Sequence, residues 1–487
     1  MTLKELLEKT DVLQVSADLD AGINGVSYDS RTIRTGEVFV AIKGFQDDGR
    51  RYIEDAVGKG AACIICEDAP GAAAPYVLVE NSRKALATVS ASWFGYPASG
   101  LKLVGVTGTN GKTTVTSLTK QIIEKCTGAK AGLIGTNQNM IGDKEFHAER
   151  TTPESYEIQK LLKAMCDEGC EYAVIEVSSH ALQLYRVYGL EFEAGVFTNL
   201  SPDHLDFHAS MDEYAKVKSR LFSHCRQAAI NIDDEYASII TDGAACPVKT
   251  YSLKNDAADL VGKGIRLRTD SVEFYALTTG RLTKTMLMIP GIFSVYNALA
   301  AMSAAMLLGI GTERSAAVMP MCEGVKGRAE VVPTGGDFTV LIDYAHTPDA
   351  LKNIIRATRG FTQNRVVTLF GCGGDRDKTK RPLMGEIAAE LSDFVVVTTD
   401  NPRSEEPGAI ISDILTGLEG VKTPYMVIEN RREAIHWALG NAGPGDVLLL
   451  VGKGHETYQI FGSEKRHFDE REVVAEYYSA KGQHLMG

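Results

Sequence analysis

The stretch from Leu101 to Cys126, LKLVGVTGTNGKTTVTSLTKQIIEKC, sets the tightest limit on how this chain can fold. An apolar run containing Val104 and Val106 enters a glycine-rich turn and passes straight into a segment compatible with a helix. Strand, turn and helix in that order belong to sheets in which a helix carries the chain back to a parallel neighbour. Further apolar runs at YAVIEVSS, AGVFTNLS and QAAINIDD extend the pattern, so this part reads as an α/β sheet of mostly parallel strands.

The turn also carries chemistry. Gly105, Gly108 and Gly111 flank Lys112, Thr113 and Thr114, although a phosphate loop of the usual spacing has a glycine where Val106 stands. Glycines let backbone N–H groups approach phosphate oxygens, and the helix start adds partial positive charge. A lysine there can pair with the β and γ phosphates, and Thr113 can ligate Mg²⁺. The bland alternative is a tight turn with a solvated lysine; the glycines, lysine and paired threonines together favour phosphate.

With 487 residues the chain exceeds what one hydrophobic core supports, so two or three domains are expected. WFGYPASG, ending near residue 99, and the glycine-rich GVKGRAEVVPTGGD around 325–335 mark the boundaries, giving segments 1–99, 100–329 and 330–487. A formal charge of −12 argues against a nucleic-acid backbone as the ligand. No apolar run is long enough for membrane insertion, and the N-terminus MTLKELLEKTDVL lacks a secretory pattern, which points to a cytoplasmic protein. Nine scattered cysteines agree with a reducing compartment; Cys63 and Cys66 form a C-x-x-C, but within AACIICE they read as buried strand residues.

In the third segment the strands of FTVLIDYAH, RVVTLFGCGGD, DFVVVTTDNPR and DVLLLVGKGHE each stop in a polar loop containing glycine or asparagine. Ligands of open parallel sheets sit beyond the carboxyl ends of the strands, so these loops should converge on a site. GCGGD is not a dinucleotide fingerprint, because Arg376 takes the place of the third glycine. Metal-ligand candidates besides Thr113 are Glu176 in YAVIEVSSH and His204 in NLSPDHLDFH. His204 with His208 could pass for a weak zinc pair, but the oxygen-rich surroundings favour Mg²⁺. Lys216, Lys218 and Arg220 look only like a basic helix face.

The octapeptide TGTNGKTT resembles the ATP loop of the Mur ligase family, whose members join an amine to a carboxylate with ATP, and the shifted glycine is that family's own form of the loop. The resemblance covers essentially the full length. It implies an α/β fold of three domains: a central parallel-sheet P-loop ATPase domain flanked by an N-terminal uridine-nucleotide domain and a C-terminal Rossmann-like domain. It implies an ATP site of Gly108, Thr109, Asn110, Gly111, Lys112, Thr113 and Thr114, with Asn297, Arg328 and Asp343 as further nucleotide contacts. Read from the residues alone, Asn297 could equally cap or pack a helix, and Asp343 could begin a turn. Lys112, Glu176, His204 and Lys218 match catalytic positions, with Thr113, Glu176, His204 and a carbamylated Lys218 around Mg²⁺.

Within the family, the similarity is to members that extend UDP-N-acetylmuramoyl-L-alanyl-D-glutamate with meso-diaminopimelate. VSYDSRTIRTGEVFVAIKGFQDDGRRYI supplies Ser30 as a uridine-nucleotide contact; Thr151, Thr152, Ser178 and Arg186 match positions that grip the muramoyl-dipeptide part. A family glutamine two residues before Arg186 is Leu184 here, which removes that contact. Asp400, Asn401, Pro402 and Arg403 form the D-N-P-R signature of diaminopimelate addition, with Arg381 as a second carboxylate contact and Gly452 and Glu456 receiving the distal ammonium. An arginine fork pairs bidentately with a carboxylate that diaminopimelate has and lysine lacks. These features imply an ATP- and Mg²⁺-dependent ligase, expected to be a monomer, whose reaction centre should lie in the cleft between the domains and require their closure. The rivals are a folylpolyglutamate synthase, which has no use for a uridine domain or DNPR, and a nucleotide-dependent switch that forms no amide.

Overall fold

A computed structural model describes residues 1–44, 48–71, 74–202, 208 and 210–480. The chain divides into two compact units, residues 1–251 with 303–310, and residues 252–302 with 311–487. Among the described residues no helix is long and apolar enough to cross a membrane.

The first unit contains two sheets. The N-terminal one has five strands in the order Val12–Ser16, Tyr76–Val79, Cys63–Cys66, Glu37–Val40, Gly25–Ser27. The first pair is antiparallel and the rest are parallel. Side chains on a strand alternate between faces, so Cys63 and Cys66 point to opposite sides. Each is buried in a different apolar cluster, Cys63 with Leu6 and Val89, Cys66 with Ile53 and Phe39. They cannot chelate one ion, and burial pushes the two thiols up to about 12 and about 11 respectively. Asn81 caps the helix Ser82–Trp93 by accepting from the N–H groups of Arg83 and Lys84. The following residues, read as a linker, form a short structured join: Tyr96 is left-handed at φ 54° and begins a single 3₁₀ turn, Pro97–Gly100.

The second sheet of this unit holds the strand of the glycine turn. Its parallel part runs Val248–Ser252, Ala228–Asn231, Ala194–Phe197, Lys102–Thr107, Tyr172–Glu176, Ala131–Ile134, followed by the antiparallel strands Gln138–Ile141 and Lys144–His147. From Lys102–Thr107 the chain first builds toward Ala131–Ile134 and Tyr172–Glu176, then crosses to Ala194–Phe197 on the other side. Lys102–Thr107 therefore stands at the topological switch point, where the loops after adjacent strands diverge and leave room for a ligand. Gly105 lies inside this strand; a Cβ there would come within 3.0 Å of Phe192 and Leu221, so this glycine serves core packing and not the loop.

In the second unit, Leu260–Leu267, Val272–Thr278 and Arg281–Leu287 form an antiparallel meander that the sequence reading did not anticipate. A six-stranded sheet follows in the order Glu330–Val332, Thr339–Asp343, Val447–Val451, Val366–Phe370, Phe394–Val397, Tyr425–Val427. All neighbours are parallel except the first pair. Glu330–Val332 falls within the glycine-rich stretch read as a boundary, and it is an edge strand of this sheet. The four apolar runs expected to be strands are the four central strands, and their carboxyl ends lie on one side as parallel pairing demands.

Candidate active site

The first constellation lies at the switch point of the first unit. The turn between Thr107 and the helix Lys112–Thr127 passes through Gly108 at φ 147° and Gly111 at φ 85°. Gly108 is doubly required, since a Cβ would collide with Thr198 Oγ1. Thr198 Oγ1 also donates to the carbonyl of Asn110, and Asn110 N–H donates to Asn199 Oδ1, so the loop after Ala194–Phe197 braces the turn. Lys112 Nζ folds over it, donating to the carbonyls of Gly108 at 2.9 Å and Thr109 at 2.7 Å. Lys112 and Thr113 begin the helix, and Thr109 and Asn110 form the turn with Thr114 buried behind it.

Beneath this turn sits Glu176, at the end of its strand and wholly buried. Its carboxylate accepts from Thr113 Oγ1 at 3.1 Å, Thr136 Oγ1 at 2.9 Å and Thr136 N–H at 2.8 Å. All these donors are uncharged, which leaves a buried carboxyl group without a cationic partner among the described residues. With the hydroxyl of Thr113 it offers an oxygen donor set suited to a hard divalent cation. His204 lies outside the described residues. Lys218 departs from the basic-face reading: Lys216 and Arg220 are exposed, whereas Lys218 is buried. Its Nζ donates to Gly108 O at 2.8 Å and lies over the Tyr214 ring. The helix Met211–Ser219 thus turns its one inward lysine to the underside of the glycine turn.

Thr151, Thr152, Ser178 and Arg186 cluster beside Glu176. Thr152 Oγ1 donates to Glu176 O at 2.6 Å, and Ser178 N–H donates to Thr152 Oγ1 at 3.1 Å. Ser178 also caps the short helix Ser179–Gln183. Thr136 and Thr151 share a hydroxyl hydrogen bond of 3.1 Å. Arg186 donates to Thr152 O and pairs with Glu154, which also binds Arg150. Ser30 is buried in the N-terminal part, its carbonyl accepting from Lys59 Nζ.

The second unit holds the other expected residues. Asp343 ends its strand, and its carboxylate accepts from the N–H groups of Ala329 and Ala345. Burial pushes its pKa up, against the pull of Arg328 and those two donors. Arg328 stacks on Tyr344, 5.0 Å from the ring centre. Asn297 is buried within the helix Ile292–Leu307.

At the far strand ends, the GCGG turn and DNPR pack backbone to backbone; a Cβ on Gly374 would collide with Pro402 O. Asp375 and Arg403 face each other across this contact with left-handed backbones, φ 54° and 52°. Arg403 Nη1 donates to Gly374 O at 2.7 Å, and the other N–H groups of its guanidinium have no partner among the described residues. Asn401 and Asp400 are buried and reach the GKGHE loop, where Asn401 Nδ2 donates to Glu456 Oε2 at 2.8 Å. Gly452, at φ 109°, brings the backbone of that loop beside Asp400.

Arg381 does not sit where the sequence reading placed it. Its side chain is wholly buried, forms a fork with both oxygens of Glu405 at 2.8 and 3.0 Å, and reaches Asp413 at 2.8 Å. A guanidinium so engaged is a strut between loops. Arg376 in the same motif is exposed and makes no hydrogen bond or ion pair with a carboxylate among the described residues. A Cβ on Gly373 would lie 2.9 Å from Arg403 Nη1 and 3.9 Å from Arg376 Cγ, so the two side chains flank one glycine. Lys453, within GKGHE itself, is wholly buried against Asp400 and Asn401 of DNPR and Glu456 of its own loop.

Comparison with known proteins gives three matches to models of one family. The Mur ligase family catalytic domain matches residues 22–93, the Mur ligase middle domain 106–305, and the Mur ligase glutamate ligase domain 327–454. The UDP-N-acetylmuramoyl-L-alanyl-D-glutamate–2,6-diaminopimelate ligase of Caldanaerobacter subterraneus subsp. tengcongensis is 48% identical over 468 residues, 95% of this chain and 96% of its own length. The similarly named ligase 1 of Clostridium acetobutylicum is 45% identical, over 98% of this chain and 99% of its own. A solved structure of a UDP-N-acetylmuramoyl-L-alanyl-D-glutamate–2,6-diaminopimelate ligase superposes with a TM-score of 0.75 at 30% identity, covering 99% of each chain.

Proposed function

The chain belongs to the Mur ligase family, and on that footing we propose that it adds meso-diaminopimelate to UDP-N-acetylmuramoyl-L-alanyl-D-glutamate with conversion of ATP to ADP and phosphate, a step in peptidoglycan precursor synthesis. The observation that carries this reading is the presence in one chain of a glycine turn backed by a buried glutamate and a DNPR loop whose arginine keeps N–H groups without a partner among the described residues. In this reading, residues 1–99 hold the uridine nucleotide through Ser30, 100–329 bind ATP, and 330–487 select the amino acid.

The peptide carboxylate takes the γ-phosphoryl group, and the incoming amine then displaces phosphate from the acyl phosphate. Lys112 is placed to exchange its carbonyl contacts for β and γ phosphate oxygens, while the N–H groups at the helix start face the same anion. Thr113 and Glu176 are the described residues that would hold Mg²⁺, which when bound screens the charge of the transferring group. His204 belongs to the same proposed set, as does Lys218, where carbamylation would replace an ammonium with an anionic oxygen donor. Thr151, Thr152, Ser178 and Arg186 orient the dipeptide, and Asn297, Arg328 and Asp343 hold the rest of the nucleotide. Asp400, Asn401, Pro402, Arg403, Gly452 and Glu456 receive the amino acid. Arg376 replaces Arg381 as the second carboxylate contact, because its guanidinium is available and that of Arg381 is not.

The test is to incubate the purified protein with ATP, the nucleotide-linked dipeptide and either diaminopimelate or lysine, and follow the amide product by mass together with ADP. Amide formed with diaminopimelate in step with ADP is expected. ATP turnover without amide would point to the nucleotide switch, and glutamylation of a folate acceptor to the folylpolyglutamate synthase.

A further inference from the structure

Where the proposed site should receive the distal ammonium of the amino acid, the protein already holds an ammonium of its own. Lys453 Nζ lies 2.7 Å from Glu456 Oε2, 3.0 Å from Asn401 Oδ1 and 3.4 Å from Asp400 Oδ1, with no exposed side-chain surface. Asn401 Nδ2 occupies the same oxygen of Glu456, so Oε1 is the one acceptor of that carboxylate without a partner among the described residues. Tyr458 lies beside them, with Lys453 Nζ 5.3 Å from its ring centre. Burial raises its phenol pKa, Glu456 and Asp400 raise it further, and Arg403 opposes them. Around this ring Asp400 and Glu456 carry two formal negative charges, and Lys453 and Arg403 two positive ones. Arg376, and Lys465 at 3.7 Å from the ring centre, add positive charge at the rim.

We propose that Lys453 determines amino-acid specificity: its buried ammonium offsets the site's carboxylates, so that the site admits a zwitterionic end and disfavours a lone ammonium. The proposal rests on the ligase reading above and deepens it. Without Lys453, Asp400 and Glu456 would lose the one cation in ion-pair contact with them among the described residues, with Arg376 and Lys465 only at the rim, and a lysine ammonium could take its place. With Lys453 in place, an incoming ammonium lacking its own carboxylate meets a site that is neutral or positive, and like charges at short range in a half-buried site repel appreciably. Arg403 selects the ligand carboxylate by attraction, and Lys453 acts against the competitor by repulsion.

The experiment compares kcat/KM for diaminopimelate, lysine and norleucine, whose side chain ends without charge. The wild-type protein should use lysine no better than norleucine; use of lysine several-fold better would overturn the proposal, and this arm needs no variant to fold. In Lys453→Gln, the preference for diaminopimelate over lysine should fall about tenfold, chiefly through a lower KM for lysine, whereas Lys453→Arg should keep the wild-type ratio. Loss of both acceptors in equal proportion in Lys453→Gln, or an equal shift in Lys453→Arg, would show that Lys453 acts as packing alone and would refute the idea. A wild-type protein that ligates no diaminopimelate would remove the functional reading and this proposal with it. Ligation of diaminopimelate with the wrong order of acceptors would remove this proposal alone.

Discussion

Arg376 and Arg381 occur in one motif, GGDRDKTKRP, and nothing in residue type separates them; their surroundings do. Arg381, itself wholly buried, has its fork closed on Glu405 with the half-exposed Asp413 alongside. Arg381→Ala should remove a wholly buried side chain and leave Glu405 with only Lys378 and the Asp375 N–H, seen as a lower midpoint in urea. Arg376→Ala should leave that midpoint nearly unchanged and raise KM for diaminopimelate about tenfold or more, since a charge-assisted hydrogen bond contributes about 1.5–3 kcal/mol. If the two variants exchanged phenotypes, Arg381 and not Arg376 would be the arginine that meets the substrate. Lys218 teaches the same lesson: alternation of charged residues along a helix does not tell which lysine faces inward, and only the packing of Met211–Ser219 against the phosphate turn settles it.

At the scale of elements, the loops after the strands Val366–Phe370 and Phe394–Val397 are locked together through Glu405. Its carboxylate accepts from Arg381 and from the N–H of Asp375, and Lys378 pairs with it. Arg381 first, then Asp375 and Lys378, hold its pKa at about 2, below the ordinary 4.5. A carboxylate with a depressed folded pKa adds stability that is fully present above its unfolded value and is lost as pH falls through the folded one. Unfolding midpoints should therefore drop between about pH 4.5 and pH 2, and Glu405→Gln should flatten that part of the profile. A variant as steep as the wild type would contradict this assignment. The strand Cys63–Cys66 gives a second expectation at this scale. With both thiols raised by burial, native protein at pH 8 should resist iodoacetamide at these positions and react only in denaturant, as peptide mass mapping would reveal.

At the scale of the whole molecule, the residues proposed for phosphoryl transfer at the turn belong to the first unit, and those proposed for amino-acid selection to the second. Lys112→Ala should abolish ADP formation with every acceptor. Arg403→Ala should retain formation of the acyl phosphate, detectable by positional isotope exchange in ATP, while use of diaminopimelate falls steeply. Equal loss of both partial reactions in Arg403→Ala would show that the steps do not separate in this way. The amino-acid sequence by itself determined the parallel α/β class, the glycine turn between strand and helix, and the strand ends of the C-terminal sheet, because apolar runs, glycines and turn residues act locally along the chain. It did not reveal the antiparallel meander of residues 260–287, whose mixed pattern carries little period. Nor did it distinguish Arg381 from Arg376, or mark Lys453 as the buried partner of Asp400, Asn401 and Glu456. Those outcomes depend on which charges meet across loops distant in sequence, and a buried charge is defined by its neighbours, which only the tertiary structure brings together.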